Sequence, residues 1–125
     1  MLADYITSLL KTPRFARQVT CHRIIEGQEA KYAELTRPLP PALSRLLELG
    51  GLSSLYTHQA QAIDRIRAGR DVVVTTPTAS GKSLIYNLPV IERFLLDPDA
   101  RALYLFPLKA LAQDQKKALE KLVSP

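Results

Sequence analysis

The spacing of apolar residues along the chain predicts five helices. They cover residues 3–10, PALSRLLELGG, THQAQAIDRIRAG, a stretch that begins at Lys82, and KALAQDQKKALEKLV. In the third helix, Ala60, Ile63 and Ile66 recur at helical spacing, and Gly69 follows as a C-terminal stop. The fourth helix has a long apolar side made of Leu84, Ile85, Leu88, Ile91, Phe94 and Leu95. Pro89 is expected to kink this helix, because proline removes one backbone donor.

Two further stretches have the composition of buried strands. DVVVTT (71–76) contains a run of β-branched residues that is apolar on both faces, as in a central parallel strand, and ALYLF (102–106) is the second. The order strand, loop, helix, strand, helix is a βαβα unit, for which a right-handed crossover is the default. We therefore predict an α/β fold with parallel strands and flanking helices, in which ligands bind at the carboxyl ends of the strands.

Prolines divide the chain into two parts. Pro38, Pro40 and Pro41 force an extended connection. Residues 1–41 are therefore predicted to form a short helical and extended N-terminal segment with a proline-rich connection, and residues 42–125 to form the α/β part.

The stretch VVVTTPTASGKS (72–83) leads from a predicted strand into a predicted helix and nearly matches the phosphate-loop signature G-x-x-x-x-G-K-[ST]. Gly81, Lys82 and Ser83 match, whereas Thr76 stands at the position of the first glycine. Such a loop directs backbone N–H groups and the positive end of the helix dipole toward a phosphate. Gly81 allows close approach, Lys82 would reach the β- and γ-phosphates as the catalytic lysine, and the Ser83 hydroxyl would ligate Mg²⁺. The alternative is a strand–turn–helix corner that contains SGKS by chance.

Polar and aromatic residues upstream of the loop complete a predicted nucleotide site. In LYTHQAQAI, the Gln59 amide can donate to and accept from an adenine edge, and Tyr56 could stack on the base. His58 is expected to pack or to orient its neighbour. The alternative is a helix start with an exposed amide. The predicted nucleotide-binding residues are Tyr56, Gln59, Thr76, Pro77, Thr78, Ala79, Ser80, Gly81, Lys82 and Ser83.

The sequence LFPLKALAQDQ downstream places a polar and basic turn at the end of the second predicted strand. Backbone amides at this helix start, together with Lys109, could hold the phosphates of a nucleic acid strand. The residues predicted to contact nucleic acid are Pro107, Leu108, Lys109 and Gln113. The alternative is a solvated helix cap.

The net charge of the chain also favours a nucleic acid partner. The 125 residues carry 17 Lys and Arg against 12 Asp and Glu, a net charge of +5, which suits a polyanion partner. Lys11, Arg14, Arg17 and Arg23 lie in a stretch without acidic residues, which is either part of such an interface or a solvated face. A single cysteine, Cys21, is typical of a reducing cytosol and excludes an internal disulfide. We expect a cytoplasmic protein without a transmembrane helix, a secretory signal or a zinc site.

Three blocks of the sequence together resemble a known family. LYTHQAQAI, GRDVVVTTPTASGKSLIYNLPVI and ALYLFPLKALAQDQ are similar to the Q motif, motif I and motif Ia in the first RecA-like domain of superfamily 2 helicases of the DEAD/DEAH type. In that superfamily the first position of motif I is usually Ala or Thr. EGQEAKYAEL and LPPALSRLLELGGLSSLYTHQAQAI further resemble the MrfA/YprA-like group of DNA repair helicases, related to the fungal RecQ-four-like helicases. The resemblance covers about residues 20–117.

This resemblance implies a partial RecA-like domain that binds ATP, Mg²⁺ and DNA, in a protein that moves 3′→5′ along DNA and acts in DNA repair. Ala79 stands where many relatives have glycine, and its Cβ requires a negative φ at that position. No Asp-Glu dipeptide occurs, so the resemblance implies a fragment that ends before the DExH box and lacks the second RecA-like domain.

We therefore expect the 125 residues alone to show no unwinding and little ATPase activity. Two other interpretations stay open at this point. One is a module that binds ATP or DNA without turnover. The other is an unrelated P-loop enzyme such as a small kinase, which would need a Walker B aspartate and a substrate lid.

Overall fold

The computed structural model describes residues 2–27, 29–77 and 80–123, and these residues are mainly helical. Their elements are α1 (Leu2–Lys11), α2 (Pro13–Ala16), β1 (Tyr32–Ala33), α3 (Pro41–Leu49), β2 (Leu55–Tyr56), α4 (Thr57–Arg67), α5 (Lys82–Leu96) and α6 (Lys109–Val123). The five predicted helices are confirmed as α1, α3, α4, α5 and α6, and α5 continues through Pro89. No helix in the described ranges is both long and apolar enough to cross a membrane.

Local sequence explains where α3 and α4 begin and end. Pro41 occupies the first turn of α3, where a missing N–H removes no helical hydrogen bond. After α3 the backbone turns at Gly51, which has a φ of 75°. After α4, the backbone turns in the same way at Gly69, which has a φ of 73°. Both are left-handed conformations that glycine adopts without strain.

Apolar residues of α3, β2, α4 and α5 form the hydrophobic core. Its buried members are Leu43, Leu47, Leu55, Ala60, Ile63, Leu88 and Ile91. Helices α4 and α5 pack directly against each other. The core therefore holds the start of α5, where the phosphate loop ends, against the helix that follows Tyr56.

The predicted parallel sheet is not formed in the part of the chain that the structure describes. The pairing found there is a short antiparallel ladder between β1 and β2, in which Tyr32 lies opposite Tyr56. Residues 71–77 and 101–106, predicted as buried strands, have no strand partner among the described residues. A strand satisfies its backbone groups only through a neighbour, so the β-branched composition of these segments does not suffice to form one.

The exposure of these two segments corrects the prediction that both of their faces are buried. Along 71–77 and 103–106, half-buried and exposed side chains alternate with a period of two, and residues 101 and 102 are exposed as well. Val73 is 92% exposed, Leu103 84% and Leu105 82%. One face of each segment therefore lies toward the protein and the other is open.

A cluster of charged side chains holds residues 31–39, which we call the strap, against α4 and α5. The Arg67 side chain is 6% exposed, and its Nε and Nη2 each donate to one carboxylate oxygen of Glu92 at 2.8 Å. Its Nη1 donates to the carbonyl oxygen of Arg37. Asp64 accepts hydrogen bonds from the Thr36 N–H at 3.0 Å and from the Thr36 hydroxyl at 2.7 Å. These bonds join the strap to α4, and the same Arg67 side chain joins α4 to α5.

The Asp64 carboxylate gives the strap a pH dependence. Burial alone would raise the pKa of Asp64, but the hydrogen bonds from Thr36 and the positive charges of Arg67 and Arg37 outweigh it and lower the pKa. Because the folded-state pKa lies below the unfolded one, Asp64 stabilises the fold above about pH 4. This contribution is lost as the pH falls through the folded-state pKa.

We expect the free energy of unfolding in urea to fall more between about pH 5 and pH 2 for the wild type than for Asp64→Asn. Glu48→Gln, at an exposed carboxylate, is the matched control and should keep the wild-type pH profile. Parallel profiles for the wild type and Asp64→Asn would show that the carboxylate makes no such contribution.

Candidate nucleotide site

The phosphate loop runs from Thr76 to the first turn of α5. The hydroxyls of Thr76 and Ser80 share a hydrogen bond of 2.6 Å across the loop. Gly81 follows with a φ of 72° and forms the N-cap of α5. The predicted site residues Thr78 and Ala79, including the φ expected for Ala79, lie outside the described residues.

The side chain of Lys82 folds back into this loop. Its Nζ donates to the carbonyl oxygens of Thr76 at 2.9 Å and Pro77 at 2.7 Å, and to the Ser80 hydroxyl at 3.2 Å. An ammonium group has three protons to donate, so these oxygens satisfy it. The positive charge is therefore held inside the concavity of the loop, where the signature requires a lysine.

Gln59 connects the start of α4 to the loop. The side chain is 2% exposed. Its Oε1 accepts from the backbone N–H of Tyr56 at 2.8 Å, and its Nε2 donates to the carbonyl oxygen of Gly81 at 2.9 Å. The amide keeps one further N–H and one further acceptor position, so the predicted contact with adenine stays a prediction.

A stack of three rings extends from the strap toward the loop. The Tyr32 and Tyr56 ring centroids are 5.2 Å apart with an interplanar angle of 16°, and those of Tyr56 and His58 are 5.8 Å apart at 9°. The carbonyl oxygen of Ser80 accepts a hydrogen bond from His58 Nε2 at 3.1 Å. Sequence reasoning missed Tyr32, because no spacing rule links it to Tyr56. The β1–β2 register brings the two residues together.

A cavity of about 650 Å³ opens beside these rings. Its lining residues are Glu29, Lys31, Tyr56, Thr57, His58 and Gln61. An aromatic wall with several polar groups is the usual lining of a small-molecule site. The predicted base-binding Tyr56 is 37% exposed and so accessible from this cavity.

Ser83, the predicted Mg²⁺ ligand, lies in the first turn of α5. Burial raises the pKa of the Tyr86 hydroxyl, and a hydrogen bond with the Ser83 side chain opposes that rise. The Tyr86 hydroxyl also donates to Gln115 Oε1 at 2.8 Å, which ties α5 to α6. No group of three or more His, Cys, Asp or Glu residues in the described ranges is placed to hold a metal ion. The metal-binding role of Ser83 therefore stays a prediction.

The residues predicted to contact nucleic acid lie together at the start of α6, apart from the loop. Pro107, Leu108, Lys109 and Gln113 are all exposed, and Leu108 accepts the hydrogen bond of the Ala112 N–H at 3.0 Å. No acidic residue lies in the first turn of α6. Among the described residues no hydrogen bond or ring contact joins this group directly to Thr76, Pro77 or residues 80–83.

A side chain at position 81 would require the Gln59 amide to move. A Cβ added to Gly81 would collide with Gln59 Nε2, and the positive φ disfavours any L side chain. We expect Gly81→Ala to displace Gln59, to destabilise the protein by about 1–3 kcal/mol and to weaken nucleotide binding.

Urea unfolding and the binding of a fluorescent ATP derivative measure these effects. Gly27→Ala is the matched control, because nothing lies within 4 Å of a Cβ there. In the Gln59→Ala background, Gly81→Ala should lower the free energy of unfolding less than it does in the wild type. The clash is then absent, and only the strain of the positive φ remains. Equal costs in both backgrounds would contradict the proposed collision.

The chain matches known helicases over most of its length. A profile of the family described as DEAD/DEAH box helicase matches residues 56–125. The "Uncharacterized ATP-dependent helicase YprA" of Bacillus subtilis (strain 168) is 42% identical over 122 residues, which are 94% of this chain and 16% of that protein. The "ATP-dependent helicase HRQ1" of Saccharomyces cerevisiae is 41% identical over 123 residues, which are 98% of this chain and 11% of that protein.

A solved structure shares the fold. The crystal structure of the DUF1998 helicase MrfA bound to DNA and AMPPNP has a TM-score of 0.74 and 45% sequence identity, over 79% of this chain and 14% of that one. This match supports the RecA-like fold, although the parallel sheet is not formed in the described residues. The chain spans less than a fifth of the length of the relatives that it matches.

Proposed function

Because the chain belongs to the DEAD/DEAH box helicase family, we propose that its phosphate loop binds ATP with Mg²⁺ and that the start of α6 binds DNA. The observation that carries this proposal is the position of Lys82, whose ammonium group lies inside the loop that Gly81 joins to α5. Membership of this family excludes the alternative that the chain is an unrelated P-loop enzyme.

The chemistry of the loop fits a triphosphate. The first turn of α5 contains no acidic residue, and its first backbone N–H groups have no helical partner of their own. The helix dipole and the Lys82 charge add positive potential at the same place. An anion that enters the loop would replace the carbonyl oxygens that now accept from Lys82, so the ammonium group needs little movement to reach it.

Each part of the loop has a role in this proposal. Lys82 would bind the β- and γ-phosphates, and the Ser83 hydroxyl would ligate Mg²⁺. Of the described loop residues, the backbone of Thr76, Pro77, Ser80 and Gly81 would contact the phosphates, with the turn at Gly81 held by Gln59. When bound, ATP supplies the free energy that drives movement along nucleic acid.

The base would bind beside the ring stack. Tyr56 lies between Tyr32 and His58 in this stack and lines the cavity together with His58, so a base would contact the exposed part of the stack. The remaining N–H and acceptor position of Gln59 match an adenine edge, but the side chain is 2% exposed, so this contact would require Gln59 to become more accessible. The hydrogen bond from His58 to the Ser80 carbonyl oxygen would hold the ring stack at a fixed position relative to the phosphate loop.

The start of α6 would bind the DNA backbone. Lys109 and the unpaired N–H groups of the first helical turn can donate to phosphate oxygens. The related structure of MrfA is described as bound to DNA and AMPPNP, so both ligands occur in that relative.

For the whole protein we propose 3′→5′ translocation on DNA, with a role in DNA repair and a cytoplasmic location. The 125 residues contain no Asp-Glu dipeptide to position Mg²⁺ and the attacking water. We therefore propose that they bind nucleotide and DNA, and that hydrolysis and unwinding require a DExH box and a second RecA-like domain in addition.

The role of Lys82 can be tested by nucleotide binding. We expect Lys82→Ala to weaken ATP binding by roughly tenfold or more, because a hydrogen bond to a charged group contributes about 1.5–3 kcal/mol. Isothermal titration calorimetry with ATP and Mg²⁺ measures the Kd. Lys121→Ala, at an exposed residue near the end of α6, should bind as the wild type does. Unchanged binding by Lys82→Ala would exclude the loop as the ATP site.

The role of Lys109 can be tested by the salt dependence of DNA binding. Loss of one phosphate contact should lower the slope of log K against log salt concentration by about 0.7 for single-stranded DNA. Fluorescence anisotropy with a labelled oligothymidylate at several KCl concentrations measures this slope for Lys109→Gln. Lys121→Gln is again the control. Equal slopes for Lys109→Gln and the wild type would contradict the assignment of Lys109 to the DNA interface.

A further inference from the structure

Residues 5–25, which we call the basic segment, carry most of the net charge of the chain. Four of the 17 basic residues and none of the 12 acidic residues lie there, so the segment has a net charge of +4 and the remaining residues +1. The four are Lys11, Arg14, Arg17 and Arg23. A charge difference of this size within one small chain indicates a surface for a polyanion.

All four basic side chains are exposed, and none takes part in an ion pair with another described residue. Other basic residues are used within the protein: Arg67 pairs with Glu92, Arg93 with Asp97 and Lys116 with Glu120. The charges of the basic segment are therefore available to an external partner.

Local structure places two of these charges close together. Helix α1 ends at Lys11, and Thr12, in an extended conformation, separates it from α2. Arg14 lies in α2, and Arg17, the C-cap of that helix, keeps a helical conformation three residues farther along. Side chains three residues apart on a helix are neighbours on its surface, so Arg14 and Arg17 lie close together.

An aromatic ring lies among these charges. Phe15 is 46% exposed, on the short helix that also carries Arg14. Surfaces that bind single-stranded nucleic acid combine basic side chains for the phosphates with aromatic rings on which bases stack. Neither α1 nor α2 has a buried residue, and the two helices pack on each other, so the core does not require this surface.

We propose that the basic segment is a second DNA-binding surface, which binds single-stranded DNA through phosphate contacts of Lys11, Arg14, Arg17 and Arg23 and through a base stacked on Phe15. It lies outside the Q motif, motif I and motif Ia. The proposal rests on the proposed function, since it adds a site to the DNA contacts at α6. The match to the yeast relative covers nearly the whole chain, so the basic segment lies within the shared span.

An anionic membrane is the other polyanion that this segment could fit, because α1 also exposes Leu2 and Tyr5. DNA is favoured for two reasons. A solved relative is described as bound to DNA. In addition, Phe15 lies within the run of positive charges, where a base would reach it.

The test is the salt dependence of binding to a labelled oligothymidylate, measured with the full 125-residue chain. Replacement of Lys11, Arg14, Arg17 and Arg23 by Gln should lower the slope of log K against log KCl concentration by about 3. The matched control replaces Arg45, Arg65, Arg70 and Lys121, which are also exposed, by Gln and so removes the same total charge. It should lower the slope much less. Equal slopes for both variants would overturn the proposal.

A second variant tests the stacking contact without a change of charge. Phe15→Leu keeps an apolar side chain but removes the ring, and should weaken oligothymidylate binding roughly fivefold or more while the salt slope stays unchanged. Circular dichroism and urea midpoints equal to those of the wild type would show that the fold is retained. Retained affinity in Phe15→Leu would overturn the stacking contact.

The outcomes separate this proposal from the proposed function. One outcome is that the quadruple variant of the basic segment binds DNA as the wild type does while Lys109→Gln binds it more weakly. That result excludes the second surface and supports the DNA site at α6. If the wild type binds no oligothymidylate at low salt, both DNA assignments fail. If the wild type binds phosphatidylserine vesicles through the basic segment in preference to the oligothymidylate, the partner is a membrane and the proposal is overturned.

Discussion

The close approach of Gln59 to Gly81 is the contact on which the geometry of the candidate nucleotide site depends. A buried amide that accepts from Tyr56 and donates to the Gly81 carbonyl fixes the distance between the start of α4 and the start of α5. Glycine is favoured at position 81, since the backbone has a positive φ and a Cβ there would displace the Gln59 amide. The packing of α4 on α5 therefore determines the position of the phosphate loop relative to α4.

The sequence predicts those parts of the site that depend on neighbouring residues in the chain. Helical spacing predicts α4 and α5, and the signature around Lys82 predicts a loop between a strand segment and a helix. Tyr32 could not be found in this way, because it meets Tyr56 through a strand pairing between distant residues. The same holds for Arg67, whose partners become neighbours only after α4 has packed on α5. Such pairs depend on tertiary geometry, which no local pattern encodes.

The prediction of parallel strands failed for a related reason. A run such as VVVTT has the side chains of a strand, but its backbone groups need a partner on each side. Val73, Leu103 and Leu105 keep the alternating exposure of a sheet, with one face open. Apolar side chains and unpaired backbone of this kind are a surface on which other strands can add. The composition of these segments favours strands. A sheet forms only when neighbouring strands supply hydrogen-bond partners.

The bonds of Arg67 have a mechanical consequence. The strap carries Tyr32, which stacks on Tyr56, and the stack continues through His58 to the phosphate loop. The loop leads into α5, and Glu92 on α5 returns to the strap through Arg67. These contacts form a closed circuit of the strap, the ring stack, the loop and α5. The loop and the strap are thus held by one shared set of contacts.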